Sequence, residues 1–272
     1  MTHMTIHPNC KINLGLNIIE RRPDGYHNIE TVFYPVPLCD ALSVETAESD
    51  RLETTGIPVA GSPEDNLVMK VVNLLRGEGF EIPPLRIRLE KNIPSGAGLG
   101  GGSSDAAAMM RLLNEMFHLG MDDDKMCRLI VRLGADCPFF IINRPVLAKG
   151  IGDRIKPIAL SLSGWHLSLI KPDVFVSTKE AYSSVVPRKP ERPIEEVLRE
   201  PVDTWKEGLT NDFEASVFAL HPSIGHIKEE LYARGAFYAA MSGSGSSLFA
   251  LSRVPININE GFEGCFRFHS QL

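Results

Sequence analysis

The sequence predicts a fold in which β-strands and α-helices are mixed, and the segments on either side of a glycine-rich stretch carry that prediction. Residues 85–90 alternate apolar and polar side chains, as a half-buried strand does. Residues 106–116 place leucine and methionine at the spacing of one apolar helical face. Related patterns predict helices at 65–76, 122–133, 211–220 and 223–234, and strands at 28–36, 40–46, 166–171 and 236–241. The glycine-rich stretch therefore connects a strand to the N-terminus of a helix.

Five glycines between positions 96 and 102 make this connection a candidate anion site. Glycine reaches backbone angles closed to other residues and has no side chain, so such a loop can direct several N–H groups at one anion. Ser103, Ser104 and Asp105 follow as helix-capping residues, and a helix N-terminus itself favours negative charge. The alternative is a flexible linker. No Gly-Lys-Ser/Thr follows, so the loop is not a Walker A motif, and its match to G-x-G-x-x-G is weak by itself.

Composition limits the function classes. The net charge of −6, from 28 basic and 34 acidic side chains, argues against non-specific nucleic-acid binding. The five cysteines are odd in number and scattered, which offers neither a disulfide framework nor a zinc pattern and favours reduced thiols. An N-terminal apolar leader and a membrane-length apolar run are both absent from the sequence. We therefore expect a cytoplasmic protein that has neither nucleic acid nor a membrane as a partner.

Polar residues before the glycine loop form two further candidate sites. Lys11 and Asn13 are two residues apart in an extended stretch, so both point to one face, and an ordinary exposed strand face is the alternative. Residues 21–27 contain a Pro-Asp-Gly turn flanked by two arginines, Tyr26 and His27. That turn suits an anionic ligand that bears a ring, although a solvated hairpin tip has the same composition.

Asp136 lies where the predicted helix 122–133 gives way to apolar residues, between Gly134 and Phe140. An unpaired charge in apolar company is costly to desolvate, which favours a functional role. The alternative is an aspartate that caps backbone groups at the turn. Asn66 begins the predicted helix 65–76, and a helix cap is its simplest role.

The run Pro94-Ser95-Gly96-Ala97-Gly98-Leu99-Gly100-Gly101-Gly102-Ser103-Ser104 resembles the phosphate loop of the GHMP kinases, which include galactokinase, homoserine kinase and mevalonate kinase. Residues 8–14 and 241–249 resemble the first and third motifs of that superfamily, in the right order and spacing. The resemblance implies an α+β, two-lobed GHMP kinase fold with the active site in the cleft between the lobes. We expect an N-terminal lobe over 1–155 and a C-terminal lobe over 156–272. The helix usual in the family after the third motif is doubtful over 253–264, which hold proline, glycine and asparagine.

The resemblance also implies the cofactors, ATP and Mg²⁺, with the metal bridging the phosphates. Ser103 and Ser104 are both candidates to touch the metal, and neither is assigned as its ligand. ATP is expected to lie against Asn66, Leu67, Pro94, Ser95, Gly96, Ala97, Gly98, Leu99, Gly100, Gly101, Gly102, Ser103 and Ser104. Asp136 matches the family's catalytic aspartate, and Lys11 matches the lysine that would keep it ionised. Asn13 would position the reacting hydroxyl.

The Asp-Gly-Tyr-His run most resembles the branch that phosphorylates the 2-hydroxyl of 4-diphosphocytidyl-2-C-methylerythritol in isoprenoid precursor biosynthesis by the non-mevalonate route. In that branch Tyr26 and His27 would meet the cytidine end of the substrate. Thr178 and Tyr182 match a further substrate-binding segment, with tyrosine in place of the usual phenylalanine. Two alternatives remain: another small-molecule GHMP kinase, acting on homoserine or mevalonate, and a non-catalytic binding protein of the same fold. The oligomeric state is left open.

Overall fold

A computed structural model of the chain describes residues 3–272, and over that range strands and helices alternate irregularly. The strands are β1 (His3–Ile6), β2 (Asn9–Arg21), β3 (His27–Cys39), β4 (Ala41–Thr46), β5 (Arg51–Gly56), β6 (Leu85–Lys91), β7 (Val146–Gly150), β8 (Arg154–Pro157), β9 (His166–Lys171), β10 (Tyr238–Met241), β11 (Leu248–Ser252) and β12 (Phe266–Gln271). The helices are α1 (Leu67–Gly77), α2 (Gly101–Met116), α3 (Asp123–Ile130), α4 (Cys137–Ile142), α5 (Thr178–Ala181), α6 (Ile194–Val197), α7 (Trp205–Gly208), α8 (Phe213–Leu220) and α9 (Pro222–Ala233). Short 3₁₀ helices lie at Pro63–Asp65, Tyr182–Ser184 and Val202–Thr204.

The chain divides into two compact units whose segments are interleaved along the sequence. Unit 1 has a first segment that ends at Cys10, followed by Leu38–Ser95 and Gly100–Arg144. Unit 2 comprises Lys11–Pro37, Gly96–Leu99 and Pro145–Leu272. This differs from two consecutive lobes divided at residue 155, and that boundary stays a prediction.

Unit 1 is built on a four-stranded sheet in the order β1-β4-β6-β5. Strand β4 pairs antiparallel with β1 and β6, whereas β5 runs parallel to β6. Every second residue of β6 is buried, from Leu85 to Lys91, which confirms the predicted alternation and places a lysine on the core side of the strand. Helix α2 buries its alanines, methionines and leucines and packs against α1 and α4.

Helix α2 begins earlier than the sequence predicts. Its first residue is Gly101, and Gly100 occupies the N-cap position with φ 73°, in the left-handed region that glycine enters without strain. Ser103, Ser104 and Asp105 therefore lie within the first turns of the helix and do not cap it. Glycine is a poor helix former, so local propensity places the start too late.

Unit 2 contains two sheets, one in the order β2-β3-β7-β8 and the other in the order β10-β11-β9-β12. Strands β7 and β8 pair antiparallel and form a hairpin, with Val146 opposite Pro157. A core cluster joins the strand side chains to α8 and α9, and it includes Leu16, Ile18, Phe213, Val217 and Leu231. Within residues 3–272, no helix combines the length and the apolarity that a membrane span requires.

The segment after β11 contains no helix over 253–264, as its composition indicates. The Arg234 guanidinium donates to the carbonyls of Asn257 and Glu260 at 2.6 and 2.7 Å. Phe262 is buried in the core cluster of unit 2. The irregular segment 253–264 is therefore held by side-chain contacts and not by helical hydrogen bonds. Strand β12 follows and pairs antiparallel with β9.

Candidate active site

Unit 1 contains a cavity of about 220 Å³ at the predicted nucleotide residues. Asn66, Leu67, Ser95 and Gly102 line it, together with β5 and the loop at 59–63. Asn66 also caps α1, since its side-chain oxygen accepts a hydrogen bond from the Val68 amide at 3.0 Å. Asn66 therefore both caps α1, as the sequence suggests, and lines the cavity.

The N-terminus of α2 lies at this cavity, and its first two residues, Gly101 and Gly102, differ in how much added volume they tolerate. A Cβ atom added to Gly101 would lie 2.9 Å from Cγ2 of Ile93, so a larger residue there would displace the start of the helix. A Cβ atom on Gly102 would make only an ordinary contact, 3.7 Å from Leu67. The free N–H groups of this first turn are the anion-binding groups that the sequence predicts.

Ser103 and Ser104, near the start of α2, differ in environment. Ser104 is buried, and its hydroxyl donates to the Asn9 carbonyl at 2.6 Å, which ties α2 to the start of β2. Ser103 is half-buried, so it is the more accessible of the two hydroxyls.

A buried charge cluster that sequence reasoning missed adjoins the same cavity. The Lys91 ammonium donates to carboxylate oxygens of Asp40 and Asp105, the latter at 2.6 Å. Lys91 and Asp105 line the cavity, whereas Asp40 lies behind them and is fully buried. Burial raises the pKa of Asp105 to about 7, against the opposing pull of the Lys91 charge. The signal in the sequence was a lysine in phase with Leu85, Ile87 and Leu89 on the apolar face of β6.

Asp136 occupies the N-cap position of α4, directly before Cys137 and Pro138. Its backbone is already helical, with φ −79° and ψ −16°, and its side chain makes no capping hydrogen bond to this helix. Asp136 therefore does not cap α4, and its side chain is half-buried.

In unit 2, Lys11 and Asn13 contact each other and residues from two distant segments. The Lys11 ammonium donates to Oδ1 of Asn13 at 2.5 Å and to the Gly98 carbonyl at 3.0 Å, and it lies 4.9 Å from the centre of the Phe33 ring. Asn13 in turn donates from Nδ2 to Thr31 at 2.9 Å. Both Lys11 and Asn13 are buried, so the exposed-strand alternative is wrong.

The third motif, residues 241–249, packs against residues 96–99 in the same unit. The Ser242 hydroxyl donates to the Gly98 carbonyl at 2.8 Å, and the Ser247 amide donates to the Ala97 carbonyl at 3.3 Å. A Cβ atom at Gly98 would lie 2.0 Å from the Ser242 carbonyl oxygen, so only glycine fits there. The Leu99 carbonyl accepts from the Lys11 amide at 3.0 Å. Segments of the first, second and third motifs therefore meet in unit 2.

A pair of rings marks the predicted substrate segment of unit 2. The imidazole of His27 stacks on Tyr182 with 4.5 Å between ring centres and 19° between planes, and Tyr182 packs edge-on against Phe213. Burial, followed by the Arg21 charge, lowers the pKa of His27. Tyr26 is 62% exposed, and Thr178 is exposed at the start of α5.

Models of two kinase domains match this chain: the GHMP kinases N terminal domain over residues 66–144 and the GHMP kinases C terminal domain over 194–257. The chain belongs to the GHMP kinases. The "4-diphosphocytidyl-2-C-methyl-D-erythritol kinase" of Bacteroides fragilis is 53% identical over 274 residues, which cover 99% of this chain and all of the relative. The Bacteroides thetaiotaomicron protein of the same name is 56% identical over 91% of this GHMP kinase and 92% of the relative. A crystal structure of a 4-(cytidine 5'-diphospho)-2C-methyl-D-erythritol kinase superposes with a TM-score of 0.83 at 33% identity, covering 98% of both chains.

Proposed function

We propose that this GHMP kinase transfers the γ-phosphoryl group of ATP to the 2-hydroxyl of 4-diphosphocytidyl-2-C-methylerythritol. The observation that carries the choice of substrate is the stacked pair of His27 and Tyr182 beside the exposed ring of Tyr26. Relatives about half identical over nearly the whole chain bear the name of that kinase, which supports the same choice.

The ring pair fits the recognition of a pyrimidine. A lowered pKa keeps the His27 imidazole neutral near pH 7, and a neutral imidazole offers one donor and one acceptor to the edge of a base. The exposed ring of Tyr26 supplies a face on which a base can stack. A pocket that hydrogen-bonds a ring discriminates strongly against substrates that lack it.

In this proposal ATP occupies the cavity of unit 1. Asn66 and Leu67 would contact the base, and the first turn of α2 would direct its N–H groups at the phosphates. The described residues hold no cluster of three or more His, Cys, Asp or Glu side chains suited to a metal. The phosphates would therefore supply most ligands of Mg²⁺, and Ser103 is the more accessible serine that could add one. The ion, when bound, offsets charge on the transferring phosphoryl group.

The remaining roles belong to Asp136, Lys11 and Asn13, and they follow from the family resemblance. Asp136 would accept the proton of the attacking hydroxyl as a general base. The Lys11 ammonium would favour the ionised carboxylate and offset charge in the transition state. Asn13, which already accepts a hydrogen bond from Lys11, would orient the hydroxyl. Phosphoryl transfer depends mainly on such positioning and charge compensation.

A substrate panel tests the proposal. ATP consumption is measured with the cytidyl compound, mevalonate, homoserine or galactose as the acceptor, each with and without Mg²⁺. We expect turnover with the cytidyl compound alone, dependent on Mg²⁺. Comparable turnover with homoserine or mevalonate would contradict the substrate, and no turnover with any acceptor, despite nucleotide binding, would contradict the enzymatic role.

A further inference from the structure

Asp40 is a fully buried carboxylate that the proposed reaction does not use. It lies between β3 and β4, and its two oxygens have separate partners. Oδ1 accepts hydrogen bonds from the backbone amides of Asn92 and Ile93 at 2.5 and 2.8 Å. Oδ2 accepts a hydrogen bond from the Lys91 ammonium. One side chain thus holds the last side chain of β6 and the two peptide groups that follow it.

Two of these partners, Lys91 and Ile93, connect Asp40 to the nucleotide cavity. Lys91 lines the cavity directly, beside Asp105 and Gly102. Ile93 contacts the start of α2, as the 2.9 Å approach to a Cβ atom built on Gly101 indicates. Asp40 itself does not line the cavity, so it acts on a ligand there only through the residues it holds.

Electrostatics make this arrangement sensitive to Asp40. A lysine as buried as Lys91 is stable in its charged form only with partners, and it has two, Asp40 and Asp105. If Asp40 lost its charge, the ammonium would be held by Asp105 alone and would be drawn away from its position between the two carboxylates. The cavity wall would then present a differently placed positive charge to an anionic ligand.

We propose that Asp40 is the positioning residue of the nucleotide site: by fixing Lys91 and the turn at 92–93, it sets the affinity of unit 1 for ATP. This inference rests on the proposed role of the cavity as the ATP site.

The test compares Asp40→Asn with Asp50→Asn. Asparagine keeps an oxygen that can accept from the two amides, so the first variant isolates the loss of charge opposite Lys91. Asp50 is the matched control, because it accepts the Leu85 amide at the opposite end of β6 and pairs with Arg76. For Asp40→Asn we expect the dissociation constant of a non-hydrolysable ATP analogue and the KM for ATP to rise about tenfold or more, on the scale known for residues that orient metal ligands. We expect kcat and the KM for the second substrate to stay near wild type, and Asp50→Asn to bind nucleotide normally.

Each outcome bears on one claim. An unchanged dissociation constant in folded Asp40→Asn would overturn the positioning role while leaving the ATP site intact. A wild-type chain that does not bind the ATP analogue would contradict the proposed function itself. If Asp40→Asn does not fold, hydrogen exchange of the wild-type chain decides: protected Asn92 and Ile93 amides without nucleotide are expected, and fast exchange at both would overturn the inference.

Discussion

At the scale of single residues, Asp136 is the side chain whose chemistry matters most in the proposed reaction. It occupies the N-cap position of α4 and is half-buried next to small and apolar residues in the sequence. Its neighbours Cys137 and Pro138 are buried, so the backbone that carries it is anchored in the core of unit 1. A carboxylate carried on an anchored backbone can be held at a fixed position, which a general base requires.

Asp136→Asn preserves the shape of the side chain and removes its basicity. A positioned general base contributes typically about 10²–10⁴-fold, so kcat should fall by at least about 10²-fold. Affinity for the ATP analogue should be unchanged in calorimetry. Lys11→Met should likewise lower kcat by a larger factor than it lowers the affinity for nucleotide. Asp124→Asn, at an exposed position in α3, is the control, and near-normal turnover of Asp136→Asn would remove Asp136 from the mechanism.

His27→Ala removes one ring of the stacked pair and keeps the edge-on contact of Tyr182 with Phe213. Leaving a buried hydrogen-bonding group of the base without its partner costs about 1–3 kcal/mol, and about 1.4 kcal/mol is tenfold in affinity. The KM for the cytidyl substrate should therefore rise about tenfold, with the KM for ATP nearly unchanged. His226→Ala, at an exposed site on α9, should change neither value. A His27→Ala defect confined to ATP would move this ring out of the substrate site.

At the scale of elements, the strand–loop–helix segment was predictable because its signals are local. The alternation of β6, the glycines and the apolar face of α2 are all readable within about thirty residues. The sequence did not indicate that Asp40 pairs with Lys91, because the two residues lie 51 positions apart. Asp40 reaches it through the pairing of β4 with β6, a non-local contact that a local pattern does not encode.

Gly102→Val tests the role of the α2 N-terminus without disturbing its packing. A Cβ atom there meets only Leu67, at 3.7 Å, whereas one at Gly101 would collide with Ile93. The added methyl groups would occupy the cavity in front of the helix N–H groups, so affinity for the ATP analogue should fall at least tenfold while the unfolding temperature stays near wild type. Gly77→Val in α1, where a Cβ atom meets nothing within 4 Å, is the control. Normal nucleotide affinity in Gly102→Val would contradict the phosphate-loop assignment.

At the scale of the whole molecule, the mixed fold and the family were readable from the sequence, but the composition of the two units was not. Residues 96–99 group with unit 2, although their neighbours on both sides belong to unit 1. The cause is packing: Gly98 approaches the carbonyl of Ser242 so closely that the glycine loop is held by the third motif, about 145 residues later. A contact between residues 144 positions apart leaves no pattern in the local sequence.

The change in Tm on binding the ATP analogue should depend on residues of unit 1 and not on Lys11 of unit 2. A ligand at about 100 times its dissociation constant adds about 2.7 kcal/mol to the free energy of unfolding. The ATP analogue should raise the Tm of the wild type and of Lys11→Met, since Lys11 does not line the cavity of unit 1. At the same nucleotide concentration the Tm of Gly102→Val should rise by less than that of the wild type. Scanning calorimetry at several nucleotide concentrations measures this, and a Tm independent of nucleotide in the wild type would contradict the ATP site.

The interleaved segments also set an order of events during synthesis on the ribosome. Every segment of unit 1 has been made once residue 144 is in place, so unit 1 can fold while the rest of the chain is still being translated. Strand β3 must wait for its partner β7, whose first residue is Val146. At about 5–20 residues per second, the ribosome takes roughly 5–20 s to make the intervening chain. Strands β2 and β3, which bury most of their apolar side chains in the folded protein, therefore wait through that interval for the rest of their sheet.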